Sequence, residues 1–198
     1  MNVDSETLTA AASRSDLRAL IDFQGVLNRI STRFINLPPD EIDAGIDEAL
    51  ETIGRLMDVD RSYVFQFSGD KQIMSCTHEW CAESVSPQIE QLQDVPVETF
   101  AWSNRKLLAG EVLHIPEVSQ LPPEADFERE EFTRQGIQSL LTVPMIYLEE
   151  TMGFLGFDAV REKKRWSRDS RMLLRNVGDI FVNALERKRA QALQTGQK

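Results

Sequence analysis

The chain carries two cysteines and two histidines, and three of the four fall in one stretch, SCTHEWCAE, from Ser75 to Glu83. Cys76, Cys81, His78 and His114 are therefore the residues from which thiol or metal chemistry would have to be built. A structural zinc site takes four close ligands, and a catalytic one takes three and a water. No CxxC or HxxxH spacing supplies them here, so metal binding is not expected. A reactive thiol needs a neighbouring base and a depressed pKa, and His78 stands two residues from Cys76. A redox sensor or thiol enzyme using Cys76 and His78 is therefore one reading of the chain. On an extended strand Cys76, His78 and Trp80 would share one face, with alternate residues about 7 Å apart, while Cys81 would point the other way. That geometry argues against a Cys76 to Cys81 disulfide.

The elements that would hold this stretch can be read from hydrophobic period. Residues 1–14 are small and polar and are expected to be disordered or frayed, with a single domain over 15–195. From Ser15, a candidate N-cap, Leu20, Phe23, Leu27, Ile30, Phe34 and Leu37 recur at steps of three and four, a heptad seam that Pro38 and Pro39 end. A second helix follows, with acidic residues in its first turns and Ile42, Ile46, Leu50, Ile53 and Leu56 on one face. The period then drops to two in RSYVFQF, SGDK supplies a turn, and QIMSCTHEW continues extended, a hairpin. Mixed short helical segments fill the span from Cys81 to Gly110, including TFAWSNRKLLAG with Gly110 as its stop. EVLHIPEV reads as a short strand and PPEADFEREEFTRQGI as a charged helix ending at Gly136. QSLLTVPMIYL and MGFLGFDAV form a second hairpin about the turn EET. The last helix runs from Ser167 to about Gln194, with Leu174, Val177, Phe181 and Ala184 as its seam. This order predicts an α+β fold: a mainly antiparallel sheet of about five or six strands with N- and C-terminal helices packed on one face.

Composition narrows the partners. Of 198 residues, 41% are hydrophobic and 27% charged, a balance suited to a globular protein. The net charge of −10 disfavours nucleic acid and anionic lipid surfaces. No apolar run approaches the ~20 residues of a membrane span and the N-terminus lacks a signal core, so the chain is expected to be cytoplasmic, with reduced thiols.

The segment GIQSLLTVPMIYLEETMGFLGFDAVREKKRWSRDSRMLLRNVGDIFVNALERKRAQ resembles the closing third of a GAF domain, and the likeness extends upstream through RLMDVDRSYVFQF to cover roughly residues 20 to 190. The resemblance implies a non-catalytic sensory domain of a signalling protein, with a ligand cavity on the sheet face opposite the terminal helices, covered by irregular helical segments. It also implies a linked output domain such as a histidine kinase or diguanylate cyclase. Phe65, Phe67, Cys76, His78, Trp80, Phe100 and Trp102 are the expected ligand-binding residues. The ligand is an unknown small molecule, and no cofactor is named. In bilin-binding members a cysteine followed by histidine lies in the helix before the last hairpin. EADFEREEFTRQGI has neither. Cyclic-nucleotide members carry an Asn-Lys pair where this chain has Ala159 and Val160, although Trp166 and Asp169 partly echo the rest of that pattern. The several cysteines of sulfoxide-reductase members are also not reproduced. A heptad seam on a surface helix asks for a partner helix. A homodimer through the terminal helices is therefore expected, with Leu20, Leu27, Phe34, Leu174 and Phe181 at its interface; a ligand-free dimerisation spacer is the alternative.

Overall fold

A computed structural model describes residues 22–195 of the chain. The segment 1–14, the cap at Ser15 and Leu20 lie outside the described residues. Helix α1 covers residues 22–36 and stops before Pro38, whose ring cannot continue a helix. A short 3-10 turn leads into α2 (Ile42–Leu56). Strands β1 (Arg61–Phe67) and β2 (Ile73–Cys81) form the first hairpin, followed by the two-residue strand β3 (Val95–Pro96), α3 (Ala101–Leu108), β4 (Leu113–Ile115) and α4 (Asp126–Arg134). The second hairpin, β5 (Ser139–Tyr147) and β6 (Glu150–Ala159), precedes the long helix α5 (Arg168–Thr195). The six strands make one sheet in the order β3-β2-β1-β6-β5-β4, with every neighbouring pair antiparallel. The fold is the expected α+β sandwich, and β3 is a strand that the alternation did not reveal.

Helix ends and turns follow local chemistry. The Ser170 N–H donates to Ser167 Oγ at 3.1 Å, so Ser167 caps α5 as its position suggested. Gly110 and Gly136 close α3 and α4 with φ of 78° and 75°. The turn between β5 and β6 is centred on Leu148 and Glu149, one residue earlier than EET, because Glu150 already pairs with Tyr147. Both turn residues take positive φ, 47° and 69°, the geometry that matches the sheet's twist in a two-residue hairpin.

The core against α1, α2 and α5 is continuous. Val64 of β1, Leu141, Val143 and Met145 of β5, and Leu155 and Phe157 of β6 face Ile30, Ile46, Ile53, Val177 and Phe181 of the helices. Each such fully buried aliphatic or aromatic side chain contributes about 1.5–3 kcal/mol. Four residues expected at a dimer interface, Leu27, Phe34, Leu174 and Phe181, pack within the chain itself. Phe34 and Phe181 pack on each other with ring centroids 5.3 Å apart, Leu174 is fully enclosed, and Leu27 is half-buried against the same cluster. These side chains serve the chain's own core, because the sheet offers them more apolar surface than a solvent-facing seam could. Leu56, expected on the apolar face of α2, is exposed in its last turn.

Two arginine and lysine contacts bind the terminal helices together. Arg187 of α5 donates to the carbonyls of Phe34 at 2.9 Å and Leu37 at 2.8 Å, filling acceptors that the end of α1 leaves open. Lys188 pairs with Asp43 at the start of α2.

Candidate functional site

The stretch SCTHEWCAE does not form an even strand. Val64 pairs with His78 and Phe65 with Cys76, so Thr77 is an extra residue with no partner on β1. Such a bulge shifts the alternation by one, and a one-residue shift sends every later side chain to the other face. Cys76 therefore faces away from the terminal helices while His78 and Trp80 face them. The expectation that these three share a face is overturned, and Cys81, expected to point away from Cys76, lies on its side of the sheet. His78 is buried, with Nδ1 2.9 Å from Thr77 Oγ1 and Nε2 3.4 Å from an Asp43 oxygen, and burial holds its pKa below the ordinary histidine value. Trp80 lies over Gly54 of α2, where a β-carbon would come within 2.5 Å of the indole.

This geometry also separates the proposed thiol and base. Cys76 Sγ is 3.6 Å from the carbonyl of His78, whose ring is on the opposite face. Burial, and then the charge of Glu79, push the Cys76 thiol far up, and the same two causes raise Cys81 to about 12. Neither sulfur is an activated nucleophile. Among the described residues no three His, Cys, Asp or Glu side chains gather as a metal site, and no helix is long and apolar enough to cross a membrane.

On the face away from the terminal helices the strands floor a cavity of ≈ 70 Å³. Its apolar part is formed by Phe65 and Phe154, stacked at 4.7 Å, together with Met74, Leu113, Phe100 and Phe132. Of the residues named from the sequence, Phe65, Cys76 and Phe100 line this cavity. Phe67 packs on the far side of Phe154, at 5.7 Å, without lining the cavity. Trp102 is half-buried on the cover under the Lys106 ammonium, 5.2 Å away, and does not line it either, because the α3 turn that buries Ser103 and Asn104 carries the indole outward.

The polar part of the cavity was not expected. Arg61 and Asp158 form an ion pair at 3.1 Å with side chains only 3% and 4% exposed. Arg61 also donates to the carbonyls of Ser86 at 3.1 Å and Gln135 at 2.9 Å, so one guanidinium holds two cover segments to the sheet. Burial outweighs Arg61 and the Tyr63 hydrogen bond at Asp158, whose pKa is pushed up to about 6. The Tyr63 hydroxyl donates to Asp158 at 3.0 Å and lies 3.5 Å from Thr142 Oγ1. That reach depends on Gly156, which stands between Tyr63 and Thr142 in the ladder: a β-carbon there would sit 2.4 Å from the tyrosine ring. Glu79 accepts from the backbone N–H groups of Gln88 and Ile89 at 2.9 to 3.0 Å, pinning the segment that holds Ser86 a second time. The alternation of RSYVFQF already aligned Arg61 and Tyr63 with Phe65, and a lone aspartate in GFLGFDAV was a second signal.

Helix α3 completes the cover. Buried Glu128 of α4 accepts from the Trp102 and Ser103 N–H groups at 2.8 and 3.1 Å and so occupies the start of α3. Asn104 is held by Val97 O at 2.8 Å. Ser103 Oγ, on a residue 5% exposed that lines the cavity, has no hydrogen-bond partner among the described residues. Nothing in the sequence marks this serine, since its role follows from the two elements that enclose it.

Residues 41–185 match the family model described as GAF domain. A curated relative, the methanogenesis regulatory histidine kinase FilI of Methanothrix harundinacea (strain 6Ac), is 29% identical over 156 residues, which is 77% of this chain. The chain spans 17% of that relative's length. Among solved structures, the phycocyanobilin-bound GAF domain of a cyanobacterial phytochrome superposes with a TM-score of 0.70 at 20% identity, covering 85% of this chain and 96% of that one. The chromophore-binding domain of a bacteriophytochrome from R. palustris gives 0.70 at 14% identity, covering 87% and 64%. These likenesses show the fold, and the family match over most of its length shows that the chain belongs to the GAF domain family.

Proposed function

We propose that the chain is a non-catalytic, cytoplasmic sensory domain that takes a small molecule in the cavity beneath α3 and passes occupancy through α5 to an output domain. The observation that carries the reading is the cavity itself, with a buried, unpartnered Ser103 hydroxyl at its wall. A buried polar atom without a partner is uncommon and asks for an occupant. Two connections support the route to α5. Strand β6 presents Asp158 and Phe154 to the cavity, and on its other face Leu155 lies 3.9 Å from where a β-carbon at Gly178 of α5 would sit. In addition, His78 of β2 meets Asp43, which pairs with Lys188 of α5. A kinase-type output is supported by the histidine kinase relative.

The bilins bound by the structural neighbours do not suit this chain. A cavity of ≈ 70 Å³ is far too small for a tetrapyrrole, and α4 carries no cysteine. A homodimer, if it forms, meets the outer faces of α1 and α5, where Ile35 and Met172 are exposed, rather than the enclosed seams. Native mass spectrometry of freshly purified protein, with an absorbance spectrum of the same sample, tests the reading. An added mass lost on denaturation is the expected result. A clean unliganded mass, with no small molecule from a metabolite panel raising Tm, would overturn it.

A further inference from the structure

Given that sensing reading, we infer that the cavity selects a small neutral molecule, smaller than one six-membered ring, whose single polar atom bonds the Ser103 hydroxyl and whose apolar part lies on Phe65, Phe100 and Phe154. Three observations carry this.

Size comes first. The cavity of ≈ 70 Å³ is about half the roughly 150 Å³ that admits benzene in an engineered protein core. The occupant is therefore about three to five non-hydrogen atoms.

Charge comes second. Among the described residues lining the cavity, Arg61 is the only cation; three of its five N–H donors go to Asp158, Ser86 O and Gln135 O, and its charge is matched by Asp158. The start of α3, which could otherwise welcome an anion, already holds the Glu128 carboxylate. Glu79 and Asp158 add negative charge to the same wall. A carboxylate or phosphate would enter a wall that already sets two carboxylates against one guanidinium, and burying an anion without a counter-charge of its own is heavily disfavoured.

Polarity comes third. The other polar groups that line the cavity and whose bonds are described here have partners, whereas Ser103 Oγ has none. One hydroxyl can satisfy one hydrogen-bonding atom on the occupant.

The test follows the Met74 methyl resonance, which reports on the cavity, against exposed Met172 as a control. The probes are butanone, size-matched propionate, and xenon as a probe that makes no hydrogen bond. Butanone is expected to shift Met74 saturably and leave Met172 alone, with propionate at least about 100-fold weaker. Ser103→Ala, which removes an unpartnered hydroxyl and should fold, is expected to weaken butanone about 2- to 10-fold while leaving xenon binding unchanged. Propionate binding as well as butanone, or butanone binding equally to Ser103→Ala, would overturn this ligand class while leaving a sensory cavity in place. If none of the three probes moved Met74, the sensory reading would fall with it.

Discussion

On the helix side of the sheet, Val64, Leu141, Val143, Leu155 and Phe157 meet α1, α2 and α5 in a dry, filled interior. On the cover side, alternate residues of the same strands, Arg61, Tyr63, Phe65, Thr142, Phe154 and Asp158, enclose a small hollow and a buried charge pair. Both faces are built from one period-two pattern, so strand propensity cannot account for the difference. What differs is the material laid over them: three long amphipathic helices on one side, short helices and turns held by hydrogen bonds on the other. The first arrangement is held by area, the second by a handful of polar ties.

The sharpest test of that contrast is to truncate one aromatic on each side. Phe181→Ala should cost about 3–5 kcal/mol in urea denaturation, because the helix side cannot close around the gap. Phe132→Ala, beside an existing hollow, should cost less than about 1.5 kcal/mol. Equal losses would break the comparison. Polar ties predict the reverse sensitivity on the cover side: Arg61→Met should cost about 3 kcal/mol, since it leaves the Asp158 carboxyl buried without its counter-charge. It should also speed proteolysis near Ser86 and Gln135, whose carbonyls Arg61 holds. A cost below about 1 kcal/mol would mean that the pair is dispensable. Next in size, Gly156→Ala should lose about 1–3 kcal/mol by driving a methyl into the Tyr63 ring. Combining it with Tyr63→Ala should recover much of that loss.

The smallest effect is a pH dependence on the helix side. Burial lowers the His78 pKa, although Asp47, Asp43 and the bond to Asp43 pull it up, with Lys188 adding to the lowering. The unfolded chain therefore takes this proton first, and stability that is present above about pH 6.5 is lost as pH falls below it. Asp158 works in the opposite sense. With its pKa raised to about 6, it binds a proton before the unfolded chain does, and its contribution declines as pH rises through that value. Comparing wild type with His78→Gln between pH 7 and 5 isolates the histidine, and the variant should lose less stability on acidification. Parallel profiles would show that His78 does not titrate differently in the fold.

Much of this architecture was legible because it rests on period. The seam from Phe23 to Leu37, the face of α2, the two hairpins and the Ser167 cap all follow from local rules about which residue types repeat and where chains end. What was missed depends on contacts between segments far apart in sequence. The heptad pattern showed that Phe34 and Phe181 seek apolar surface but could not say that they find it in each other. The bulge at Thr77 has no strong signature, and it alone moves His78 and Trp80 out of the expected site. Asp158 and Arg61 become a pair only when β1 and β6 become neighbours. Ser103 becomes notable only because no segment brings it a partner.

The reach of Tyr63 across Gly156 has a mechanical consequence. Its ring starts on β1, passes over β6 and ends at Asp158 and Thr142, so one side chain cross-links three adjacent strands in addition to their ladder. A sheet braced in this way resists shear between those strands and moves as a stiff plate. The opposite wall has no such brace: its segments around Ser86, Gln88 and Gln135 are tied to the sheet by the side chains of Arg61 and Glu79.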